Sequence, residues 1–128
     1  MKYNRPLIVS SLLSIALFSV HLAGDIMYGL DKFGLNMMTA FAILTLLLYG
    51  TLVRGARRSG HIIMLLGGIF SLGMPVIHVR GTSLARIIDG GGWLFVWTLL
   101  ALGTLGMFTV VLAARELWIQ RRGGSSLA

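Results

Sequence analysis

Four stretches free of any charged residue take up most of this chain of 128 residues: Pro6–Gly24, Phe33–Val53, Ser59–Val79 and Gly90–Ala114, which are 19, 21, 21 and 25 residues long. A helix of ~20 apolar residues crosses the ~30 Å hydrocarbon core of a bilayer. The breaks between the stretches are short and hold nearly every charge. The expected fold is therefore all-α. It is a four-transmembrane-helix bundle with spans over about 6–24, 35–53, 60–78 and 93–114, one domain over 1–122, and a flexible tail over 123–128.

Composition narrows the function classes. An apolar content of 56% against 12% charged residues fits a membrane protein and excludes a disordered chain. No room is left for a soluble receptor, a nucleotide-binding domain or a large catalytic lobe. The net charge of +7 does not point to nucleic acid, because the basic residues gather at helix ends rather than on one groove-sized face. The absence of cysteine excludes disulfides, thiolate metal sites and thiol redox chemistry.

The charges also predict an orientation. Lys2, Arg5, Arg54, Arg57, Arg58, Arg115, Arg121 and Arg122 fall on one side of the expected bundle, and Lys32, Arg80 and Arg86 on the other. With short loops, eight against three places both chain ends in the cytoplasm and the loops around 25–36 and 79–92 outside. The inner membrane of a bacterium is the expected setting. No small-x-small cleavage site follows the first apolar run, which reads as a retained span. Trp93, Trp97, Tyr49 and Trp118 fall near span ends as an aromatic belt.

A shift of 57 residues overlays Ser14 on Ser71, His21 on His78, Gly24 on Gly81 and Gly34 on Gly91. This weak pattern suggests a tandem duplication of a helical hairpin, with a parallel repeat axis along the membrane normal. Helical periodicity puts Ser10, Ser14, His21 and Asp25 on one face of the first helix. It puts Gly60, Met64, Gly67, Ser71 and His78 on the matching face of the third. Gly67-x-x-x-Ser71 is a small-xxx-small pair of the kind that lets helices approach, so Gly67→Leu is expected to disrupt association. Gly103 and Gly106 are expected on an outer, oligomeric seam. Pro75 removes a backbone donor and would free a carbonyl near Ser71.

The chemistry-bearing residues concentrate at the end away from the termini. Ionisable groups inside a membrane are costly and usually functional. His21, Asp25, His78 and Arg80 are expected to face the interior, with His21 and Asp25 paired at i, i+4 and Arg80 within reach of Asp25. A haem b would use His21 and His78 as axial ligands, with Arg80 near the propionates. A divalent metal would use His21, Asp25 and His78 as three N/O ligands with an open position. A proton path would follow Ser10, Ser14, His21 and Asp25, but no acidic residue continues it to the other side. His61 is expected at the cytoplasmic interface. Residues 83–89 could form a short surface helix ended by Gly90, Gly91 and Gly92. No nucleophile–base pair, His-Glu-x-x-His motif or nucleotide fingerprint occurs.

The default expectation is a non-enzymatic subunit or partner protein of a membrane assembly. Its partners would be the lipid bilayer and either its own copies or another membrane protein, with no nucleic acid. The alternatives are a haem- or metal-binding membrane protein centred on His21 and His78, and a small transporter or channel.

Overall fold

The computed structural model describes residues 4–28, 36–81 and 92–124, with no side-chain detail for residues 28, 79–81, 123 and 124. The surface helix expected over 83–89, the loop charges Asp31, Lys32, Arg86 and Asp89, and the side chain of Arg80 all lie outside the described residues. Four helices form the bundle: α1 (Arg5–Tyr28), α2 (Met37–Leu48), α3 (Arg58–Gly81) and α4 (Trp93–Gly124). No strand occurs among the described residues. Three of the helices are long and apolar enough to cross a membrane, over Arg5–Met27, Arg58–His78 and Trp93–Arg122. The fourth apolar segment, Met37–Val53, is shorter.

Asparagine starts two of these helices for the same reason. Asn4 Oδ1 accepts the amide of Leu7 at 3.2 Å, and Asn36 Oδ1 accepts the amide of Thr39 at 2.9 Å. Each satisfies an orphan donor of a first turn. Asn4 also donates from Nδ2 to Glu116 of α4 at 2.7 Å, fastening the start of α1 to the end of α4. The helical segment of α4 continues past the expected end at Ala114 to Gly124, so Arg115, Arg121 and Arg122 ride on helix rather than in a loop. Residues 123 and 124 of the expected tail belong to this helix, and 125–128 lie outside the described residues.

α2 does not end as an ordinary helix. One π-helical turn, Tyr49–Val53, follows it, and the amide of Arg54 reaches back to the carbonyl of Tyr49 at 3.2 Å. The wide turn carries Thr51 into the core, where it donates to the carbonyl of Leu47 at 2.8 Å. With that hydrogen committed, Ser11 Oγ of α1 donates to Thr51 Oγ1 at 2.8 Å. This π turn is the main contact between the second segment and α3.

α4 is the hub of the bundle. It packs most extensively on α3 and next on α1, whereas α1 and α2 touch far less. The two hairpins suggested by the 57-residue repeat are thus packed unlike one another, although His21 and His78 do meet at one depth. The α3–α4 crossing explains the tight packing. A methyl on Gly106 would lie 2.6 Å from the amide nitrogen of Leu72 and 2.8 Å from the carbonyl oxygen of Gly68, so two backbones pass with no room for a side chain. Gly106 is buried inside the fold and is not part of the outer, oligomeric seam expected for it. Gly103 likewise faces inward, onto the ring of Pro75, 3.0 Å from an added methyl. Gly67 faces a flexible end of Leu47 on α2, and it is Gly68 that faces α4. The other residues of the expected α3 face, Gly60, Met64, Ser71 and His78, are buried.

Along its axis the interior alternates in character. Nearest the chain ends, Leu7, Met64 and Ala113 form an apolar cluster. Above it lies a hydroxyl layer. Thr109 donates to the carbonyl of Leu105 at 2.9 Å, and Ser10 donates to Thr109 at 2.8 Å, with Ser14 at 3.4 Å. A cavity of about 10 Å³ among Ser11, Ser14, Ser71 and Thr109 has room for one water molecule. Next comes a second apolar layer with Phe18, Leu22, Met74, Leu99 and Leu102. Beyond it, at the end away from the termini, sits the cluster of His21, Asp25 and His78.

Candidate metal centre

His21 and Asp25 stand one turn apart on the buried face of α1, and His78 ends the buried face of α3. All three are more than nine-tenths buried, His21 at 1% exposure, Asp25 at 4% and His78 at 7%. Asp25 lies between the two imidazoles. Its Oδ1 is 3.2 Å from His78 Nε2, and its Oδ2 is 3.6 Å from His21 Nε2. Each residue offers one ligand atom, and the three atoms all lie within 4.8 Å of one another.

The remaining ring nitrogens fix the tautomers. Thr98 Oγ1 of α4 donates to the carbonyl of Phe95 at 2.7 Å, so it has no hydrogen left for His21 Nδ1, which is 3.3 Å away. His21 Nδ1 must therefore carry the proton and donate. His78 Nδ1 lies 3.0 Å from the carbonyl of Met74, a group that only accepts, so it too carries a proton and donates. Neutral, each histidine then directs the lone pair of Nε2 toward Asp25. A lone pair from each imidazole and a carboxylate converge at a buried site, which is repulsive unless a proton or a metal cation sits among them.

A single proton does not resolve this. Placed on His78 it serves the 3.2 Å contact but leaves His21 Nε2, which has no hydrogen-bond partner among the described residues. A second proton would set two buried imidazoliums against one carboxylate. One small metal ion bound to all three atoms would accept both imidazole lone pairs and neutralise the carboxylate. The 3.2 Å contact is made by Oδ1 and the 3.6 Å contact by Oδ2, and one ligand atom from each residue lies within 4.8 Å of the others, so a bound ion would draw them in toward the ~3.3 Å edge of a tetrahedron with bonds of ~2.0 Å. Donation of Nδ1–H to a backbone carbonyl or hydroxyl is the usual outer support of a histidine that binds metal through Nε2.

Phe95 of α4 completes the wall. Its ring centroid lies 4.6 Å from that of His21 and 5.4 Å from that of His78, and the two imidazoles meet edge to face at 4.9 Å. A bis-histidine haem needs a porphyrin plane between its axial rings. Rings in direct contact, bridged by Asp25, suit a single ion and leave no gap for that plane. The apolar layer of Phe18, Leu22, Met74, Leu99 and Leu102 separates the cluster from the hydroxyls of Ser10, Ser14 and Thr109. The stripe read along α1 is thus real as a buried face but is interrupted as a polar track.

The sequence brought His21, Asp25 and His78 into consideration; it did not bring in Thr98 and Phe95. Their signal was present, since Phe95, Thr98, Leu102, Gly106, Thr109 and Ala113 recur every three or four residues as the buried face of α4. His61, expected at the cytoplasmic interface, lies inside the bundle near the end that carries the chain termini. It is buried at 2% exposure, and its Nδ1 is 3.0 Å from Gln120 Nε2 of α4. No known protein family, no curated protein and no solved structure matches this chain, so its function has to be read from the geometry of the cluster itself.

Proposed function

We propose that this small membrane protein binds one divalent transition-metal ion, of the zinc class, through Nε2 of His21, a carboxylate oxygen of Asp25 and Nε2 of His78. The observation that carries the reading is the orphaned, buried Nε2 of His21, aimed with a second imidazole lone pair at one carboxylate. Two nitrogens and one oxygen match the preference of zinc and its first-row neighbours, and three protein ligands leave a fourth position for water or an exchanging ligand. The eight-to-three charge bias supports an orientation with both chain ends in the cytoplasm, which would put the metal near the opposite face. The role of a partner subunit in a membrane assembly requires none of this convergence, whereas metal binding accounts for all of it.

Elemental analysis tests the reading. Protein purified from a zinc- and haem-replete host, then dialysed against a zinc buffer, should hold one zinc per chain and show no Soret absorption. Metal content well below one per chain at micromolar free zinc would reject the metal site. A Soret band that titrates to one haem per chain would replace it with the haem alternative.

A further inference from the structure

A second site lies at the opposite end of the bundle. Between α3 and α4 opens a cleft of about 320 Å³, with Ile62, Leu65, Leu117 and Trp118 as its apolar lining and Arg58 and Arg121 among its walls. That volume is at the low end of the ~300–1,000 Å³ typical of small-molecule sites. The two arginines come from different helices, one at the start of α3 and the other in the last turn of α4. The Trp118 ring lies under the guanidinium of Arg122, 4.8 Å from its centroid. Of the eight basic residues assigned to this end, all but Lys2 are described.

We infer that this cleft binds one anionic phospholipid, its phosphate between Arg58 and Arg121 and the start of an acyl chain against Ile62, Leu65 and Leu117. The cleft sits where α3 and α4 change from apolar to basic sequence, which is the depth at which a headgroup meets its chains. An arginine pairs with a phosphate in two parallel hydrogen bonds, so two arginines from two helices select for the headgroup charge as well as hold it. Basic pockets between membrane helices recognise anionic lipids by this means. The site is independent of the metal cluster.

Trp118 supplies the probe. In a Trp93→Phe/Trp97→Phe background it is the sole tryptophan. The protein is reconstituted into vesicles in which either the phosphatidylglycerol or the phosphatidylcholine is brominated at equal mole fraction. Quenching of Trp118 should show a preference for phosphatidylglycerol on the order of tenfold in relative association. Arg58→Gln/Arg121→Gln should reduce that preference to about onefold, and Arg58→Lys/Arg121→Lys should keep part of it, because the charge stays while the paired hydrogen bonds are lost. Equal quenching by the two lipids, a preference that survives the glutamine pair, or its loss in the lysine pair would each overturn the proposal.

Discussion

Gly106→Ala should destabilise the bundle by ~3 kcal/mol, at the upper end of what overpacking costs, and Gly106→Leu should prevent folding altogether. The added methyl meets the amide nitrogen of Leu72 at 2.6 Å, the carbonyl oxygen of Gly68 at 2.8 Å and Cβ of Ser71 at 3.0 Å. Two of these three atoms are backbone of α3, so no rotamer change relieves the clash and the helices must separate. Separation costs more here than elsewhere because the α3–α4 contact is the most extensive in the bundle. Gly73→Ala is the matched control. An added methyl there finds nothing within 4 Å, so the change should be neutral or should stabilise by up to ~1 kcal/mol through helix propensity. Gly67→Ala should fall between, since only a terminal methyl of Leu47 stands in its way. Thermal unfolding in detergent, with all three variants side by side, reads the order directly.

Zinc should stabilise the wild-type protein by ~2.7 kcal/mol at one hundred times its dissociation constant, and should do nothing measurable for His21→Gln, Asp25→Asn or His78→Gln at the same concentration. Asp25→Asn is the informative member of the set. An asparagine Nδ2 has two hydrogens and can donate to an imidazole lone pair, so the metal-free variant should keep its fold. If Asp25 instead balanced a permanently charged His78, the same substitution would leave a buried cation without its counterion and cost ~3–5 kcal/mol in metal-free protein. Melting with chelator present and with zinc added separates these two roles. A variant that stays folded but no longer responds to zinc supports the metal site. A variant that collapses in chelator opposes it.

Some of this was legible in the chain. Four uncharged stretches fix the helices because a bilayer-spanning segment must be apolar along its whole length, a property local to the sequence. The buried face of α1 was legible for a similar reason, as Ser10, Ser14, His21 and Asp25 obey helical periodicity. What the sequence does not contain is the rotation and depth at which one helix meets another. The face read on α3 holds at Gly60, Met64, Ser71 and His78, all buried, but Gly68 rather than Gly67 meets α4, and Gly106 opposite it lies inside the fold instead of on an outer seam. The same limit hid Thr98, whose role exists only because its hydroxyl is already committed to Phe95 and faces a histidine on α1. It hid Gln120 opposite His61 as well. The π turn at Tyr49–Val53 had no local marker beyond Gly50, which makes room for Ile63 of α3.

X-ray absorption at the zinc edge of the loaded protein tests the central claim most directly. The chain has three histidines, and His61 pairs with Gln120 at the other end of the bundle, so two imidazoles on one zinc within a chain must be His21 and His78. The predicted spectrum shows two imidazole nitrogens and carboxylate or water oxygen at ~2.0–2.1 Å, in four-coordinate geometry. A shell of oxygens alone, without imidazole scattering, would contradict the assignment of the metal to His21, Asp25 and His78.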